Sequence, residues 1–243
     1  MTKKFLLIKT GKTWDSIRTR HGCFEDWLVA GLGVSREDVD VVSVFEGGLL
    51  PTHLDTVGGI IITGSPAMVT ERLPWSEAVA RWLAFELLER KTRVPVLGIC
   101  YGHQLLAHAL GGRVEYNPRG REIGTVEICA TAALAGDPLL GEINFPFLAQ
   151  ATHLQSVSEL PPGAIHLASS ALEPHHAFRF SETVWGVQFH PEFTADIMRA
   201  YLDVLGERML GEGMDVAGVR AGVRDAPAGV VMLRRFARLA GAG

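Results

Sequence analysis

The sequence predicts an α/β protein, a sheet covered by helices on both faces and extended by antiparallel strands, in a chain of 243 residues. Through the first half, short β-rich apolar runs alternate with longer amphipathic patterns, the rhythm of strands crossing to helices and back. From about residue 113 to 185 the rhythm changes to short strands and turns, which predicts the antiparallel extension. Hydrophobic residues make up 47% of the chain, enough for a substantial core.

Taken in order, residues 5–8 form a first strand, and after a polar loop Phe24, Trp27 and Leu28 begin an amphipathic helix. Residues 39–45 and 60–63 give the second and third strands. A helix is predicted over 75–89, where Val79, Trp82, Leu83, Leu87 and Leu88 oppose Glu77, Arg81, Glu86 and Glu89. The apolar run 94–99 reads as a buried strand, and Leu105, Leu106, Ala109 and Leu110 fall at helix spacing after it. Short strands are predicted at 125–129, 165–168, 177–180 and 184–189, and a helix over 194–209 closes a domain spanning 1–210. Residues 211–243 read as a C-terminal extension, partly helical over 230–239; packing on the domain is favoured there over self-association or loose order.

Composition narrows the function. A net charge of −4 leaves no electrostatic footprint for nucleic acid or an anionic membrane. Two lysines precede only four apolar residues at the N-terminus, far short of a signal segment, and no stretch reaches the roughly 18 apolar residues of a membrane span. A cytoplasmic protein is expected. Cys23, Cys100 and Cys129 are odd in number and widely spaced, so neither a disulfide framework nor a zinc cluster is expected. Gly11-Lys12-Thr13 lacks the upstream glycine of a phosphate loop, since Leu6 stands there, and the adjacent His175 and His176 would diverge in extended chain.

The chemistry concentrates at Gly98-Ile99-Cys100-Tyr101-Gly102. A cysteine between a strand and a helix, with glycine two residues away on each side, has the pattern of a nucleophile elbow, where a Cβ at either flank would crowd the turn. A helix N-terminus at the sulfur favours thiolate, and the Tyr101 N–H points where an oxyanion would form. The partner follows a later strand: in His190-Pro191-Glu192 the base and a carboxylate lie two residues apart, on one side of an extended segment that Pro191 stiffens.

Together, Gly98–Gln104 (GICYGHQ) and Phe189–Phe193 (FHPEF) resemble the class I glutamine amidotransferases, most of all the glutaminase part of GMP synthases. The resemblance spans about residues 5 to 205 and implies a flavodoxin-like three-layer α/β/α fold with a mostly parallel sheet. It implies that Cys100 attacks the glutamine side-chain amide and releases ammonia, that water frees glutamate from a thioester, and that Glu192 orients His190 as base and acid. It also implies a second oxyanion-hole N–H from the Gly64-Ser65-Pro66 loop, where Ser65 replaces the family's glycine, and substrate contacts from Gly64 and Gln104. Residues 151–157 resemble the segment that shapes the glutamine pocket, with Leu154 in place of glycine, which makes His153 and Gln155 candidate pocket residues. His103 fits helix-face packing as well as the site. No metal or other cofactor is required. The ATP pyrophosphatase loop of a GMP synthase is absent from the sequence. Three readings stay open: a self-sufficient hydrolase of γ-glutamyl amides or peptides, a glutaminase serving a separate synthetase subunit, and a non-catalytic module on the same fold. The oligomeric state is likewise open, a homo-oligomer included.

Overall fold

The computed structural model describes residues 3–242. Five parallel strands form its centre: β1 (Lys4–Lys9), β2 (Val39–Ser43), β3 (Val57–Ile62), β4 (Val96–Ile99) and β11 (Val184–Val187), in the spatial order β2-β1-β3-β4-β11. Beyond β11 the same sheet runs on through the antiparallel strands β10 (Ala177–Ser181), β9 (Ile165–Ser169), β6 (Glu122–Ala130) and β7 (Phe147–His153). A separate two-stranded antiparallel sheet pairs β5 (Arg113–Tyr116) with β8 (Gln155–Glu159). The mostly parallel sheet with its antiparallel extension is therefore as expected.

Strand alternation divides the core into two layers. Phe5, Leu7, Ile61, Leu97 and Ile99 face α2 (Phe24–Leu32) and α7 (Ala228–Leu239), while Leu6, Ile8, Ile60, Ile62 and Val96 face α3 (Pro74–Ala84) and α4 (Tyr101–Ala109). The all-apolar β3 is buried along its whole length, as a strand covered on both faces must be. A third cluster gathers α1 (Asp15–His21), α2 and α5 (Ala195–Gly211) around Phe24, Trp27, Phe193 and Tyr201, next to α6 (Val216–Gly222).

Several predicted boundaries move. The second strand stops at Ser43 because Val44–Glu46 coil into a 3-10 turn ended by Gly47 at φ 89°. The 75–89 helix starts at Pro74, whose missing N–H costs nothing at a first helical position, and continues past Ala84 as a π-helical turn over Phe85–Glu89. Thr194 caps α5 rather than joining it, accepting from the Ile197 N–H at 3.2 Å. The loop after β1 contains α1, in which Ile17 alone is buried, too little apolar content for a periodic signal. The strands β5, β7 and β8 and the helix α6 likewise lie outside the elements expected from the sequence.

Within residues 211–243, α7 lies in the core: Met232, Leu233 and Phe236 are fully buried. Gly31 permits the close crossing of α2 with α7, since a Cβ there would sit 2.5 Å from Leu233 Cδ1. Truncating Phe236→Ala should therefore destabilise the fold by about 3–5 kcal/mol, the usual cost of emptying a buried aromatic site. Denaturant unfolding measures this, and a loss under about 1 kcal/mol would mean that α7 is peripheral to folding.

Candidate active site

Cys100 sits between β4 and α4 with φ 51° and ψ −102°, one of three non-glycine residues at positive φ among those described. Such a backbone lifts the thiol clear of the strand end, and its neighbours hold it there. Cys100 N–H donates to Val187 O at 2.9 Å and Gly102 N–H to Thr63 O at 3.1 Å. Both flanking glycines are sterically required: a Cβ on Gly98 would lie 2.5 Å from Gly102 O, and one on Gly102 would collide with Ile62 O. Tyr101 opens α4, so its N–H has no acceptor within the helix and is available at the sulfur's side.

His190 follows β11. Its Nδ1 lies 2.7 Å from Glu192 Oε1, which leaves Nε2 to face the thiol of Cys100. Phe193 stacks on the ring at a centroid distance of 4.0 Å and Phe24 is stacked farther off at 6.4 Å. Gly64 touches the ring edge, where a Cβ would come within 2.8 Å of His190 Cε1. Strand β7 links the two halves of the site: Gln150 O accepts the His190 N–H at 2.8 Å, and Thr152 O lies 3.7 Å from Cys100 Sγ. Sequence reasoning missed Gln150, and it placed Thr152 in the 151–157 pocket segment without its contact to the sulfur, because a backbone carbonyl leaves no side-chain signature.

Burial alone would disfavour a charged His190, but the Glu192 carboxylate and then the Cys100 sulfur outweigh it and raise the ring's pKa to about 10. The geometry thus favours an imidazolium beside the sulfur, the pairing that activates cysteine nucleophiles.

The family described as glutamine amidotransferase class-I matches residues 22–202. The chain belongs to that family. GMP synthase (glutamine-hydrolyzing) of Porphyromonas gingivalis W83 is 34% identical over 178 residues, covering 73% of this chain and 32% of that protein. A protein named as one of the subunits of the GMP synthase of Methanosarcina mazei is 37% identical over 135 residues, 55% of this chain and 64% of that one. The chain thus spans about a third of the length of the Porphyromonas GMP synthase it matches. In fold it resembles a glutamine amidotransferase of Thermotoga maritima, with a TM-score of 0.75, 20% identity and 99% of both chains covered.

Of the remaining predicted residues, Ser65, Tyr101, Gln104, His153 and Gln155 line one pocket with Cys100 and His190, while Gly64 lies at the edge of the His190 ring rather than in that lining. Ser65 does not require positive φ, so its Cβ fits, and its hydroxyl donates to Thr10 O at 2.9 Å and accepts from Ala67 N–H at 3.2 Å. The Gln104 amide donates to Gln155 O at 2.8 Å and to Gln188 Oε1 at 2.9 Å, which ties α4 to β8. Gln155 turns its own amide to Thr70. The His153 ring is buried in a separate network, with Nδ1 3.0 Å from Gln155 O and Nε2 2.9 Å from Glu122 Oε2, an oxygen that also meets His176 Nε2 at 2.7 Å. Its imidazole therefore braces the pocket wall from behind. Glu122, His153 and His176 are a donor set of the kind that binds zinc, but in this arrangement each histidine Nε2 is spent on the Glu122 carboxylate. His103 is fully buried against Phe178, and burial drives its pKa well below the usual histidine value.

A raised pKa means that His190's contribution to stability is complete below its unfolded value near 6.5 and is lost as pH climbs through about 10. Replacing Glu192→Gln removes the main raising partner, so the ring should titrate nearer neutrality and the stability advantage of the wild type should shrink toward alkaline pH. Ring-proton NMR reads the shift directly; an unchanged His190 titration would show that Glu192 does not set its charge.

Proposed function

We propose that this protein hydrolyses the side-chain amide of glutamine through a thioester on Cys100 and passes the ammonia to an acceptor held by a separate synthetase subunit. The observation that carries the reading is the strained Cys100 elbow facing a His190 whose other nitrogen is held by Glu192. The Methanosarcina relative is named as one subunit of its synthase, which supports delivery to a second chain.

In this reading Cys100 attacks as its thiol proton passes to His190 Nε2. Sulfur bonds to the amide carbon, and the carbonyl electrons move onto oxygen, which the N–H groups of Tyr101 and Ser65 receive. As the tetrahedral centre collapses, His190 gives its proton to the departing nitrogen and ammonia leaves a thioester on Cys100. Water then loses a proton to the neutral His190 and attacks the same carbon; the C–S bond breaks, glutamate leaves, and the sulfur takes back the proton held on His190. Glu192 keeps the ring's Nδ1–H engaged throughout, which fixes the orientation of Nε2. Gly64 and the side chains of Gln104 and Gln155 set the pocket's walls, and the buried His153 holds the wall that carries Thr152.

Cys100→Ala should lower glutamate release from glutamine by roughly a thousandfold or more while leaving the unfolding midpoint nearly unchanged. A chloroketone analogue of glutamine should alkylate Cys100, which lines the pocket, and spare Cys23 and Cys129, which do not. Peptide mapping decides this, and modification at Cys129 with Cys100 untouched would defeat the assignment.

A further inference from the structure

Beyond the thiol, the pocket runs toward α1 and α5, and its chemistry there is one-sided. Lys12, Arg121 and Arg208 line it together with Trp14 and Tyr201, while no carboxylate stands among its described lining residues. Arg121 is the built part. Its side chain is only 6% exposed, and Glu212 grips it with two bonds, from Nε at 2.7 Å and from Nη2 at 2.9 Å. The same carboxylate takes Arg208 Nε at 3.2 Å. One acidic group outside the lining thus orients two guanidinium groups, and it leaves Arg121 Nη1 and both terminal nitrogens of Arg208 without a protein acceptor among the described residues. Lys12 adds a third cation with no carboxylate partner there. Burying an arginine costs desolvation that a purely structural clamp could avoid with apolar side chains, whereas a planar fork held at a pocket wall is matched to a carboxylate.

We propose that Arg121 and Arg208, with Lys12 at the rim, form a subsite of this pocket that binds a carboxylate of the substrate. This rests on the amide-hydrolase reading above. The carboxylate has two sources in a γ-glutamyl compound: the α-carboxylate of the glutamyl unit, or a carboxylate on the amine that leaves. The net positive charge of the cluster also draws anionic substrates toward the cleft.

The test compares kcat/KM of wild type, Arg121→Gln and Arg208→Gln on two pairs of substrates that differ by one charge: glutamine with its α-amide, and γ-glutamylglycine with γ-glutamylglycinamide. Because Glu212 loses its buried partner in Arg121→Gln and keeps only Arg208, the double variant Arg121→Gln, Glu212→Gln is included, and the exposed Arg208 supplies a substitution that leaves the fold undisturbed. Removing a charged hydrogen bond should lower kcat/KM for the carboxylate member by roughly tenfold to a hundredfold, mostly through KM, with the amide member changed less than about threefold. Selective loss in the first pair assigns the subsite to the α-carboxylate, and in the second pair to the leaving amine. Equal change in both members of each pair, with Cys100 still alkylated by the chloroketone, overturns the subsite and spares the hydrolase reading. If wild type turns over none of the four and Cys100 is not alkylated, the hydrolase reading itself fails and the subsite falls with it.

Discussion

The backbone of Cys100 is the constraint on which the site depends. A β-substituted residue at φ 51° and ψ −102° is strained by an amount on the order of 1–3 kcal/mol, and it persists only because its surroundings leave no alternative. The chain must leave β4 and enter α4 without a spacer, within contact of β3 on one side and β11 on the other. Bonds from Cys100 N–H to Val187 O and from Gly102 N–H to Thr63 O pin the turn to both neighbours. The glycines at 98 and 102 are the consequence, since the backbones on either side occupy the space where side chains would go.

Once the thiol is placed at the end of the parallel sheet, the rest of the site follows from strand order. Because β11 pairs with β4 in register, Val187 opposite Ile99, the chain leaving β11 carries His190 to the same edge as Cys100. Strand β7, far away in sheet order, folds back to this edge through the single bridge between Gln150 and His190. That return places Thr152 O against the sulfur and buries His153 behind it. The Glu122 carboxylate, in turn, is held ionised well below the usual range despite its burial, by hydrogen bonds from His153 and His176. The buried Glu122 carboxylate and the His190–Glu192 pair thus each rest on hydrogen-bond partners of their own.

Much of this was legible in residues close together in sequence. A glycine–cysteine–glycine spacing states a steric requirement of one turn, and histidine two residues before glutamate states a hydrogen bond within an extended segment; both are local, and both appear in the structure as read. The alternation of strands and helices up to β4 was readable for the same reason, since a strand buried on both faces is apolar throughout. By contrast β7, with glutamine, threonine and histidine along its length, carries no such pattern, and its contribution to the site is made by carbonyl oxygens that any residue possesses. Gln104, His153 and Gln155 line the pocket, but the sequence did not show that each is engaged by protein partners.

The sequence by itself determined the α/β class, the cysteine turn and the His190–Glu192 pair, because each depends on neighbours within a few residues. Only the tertiary structure decided that α7 fills the core against α2, that β7 returns to link His190 with Cys100, and that Arg121 and Arg208 converge on Glu212 at the pocket wall. These contacts join residues far apart along the chain, and their partners are selected by shape, burial and charge balance in the folded molecule, which no local pattern encodes.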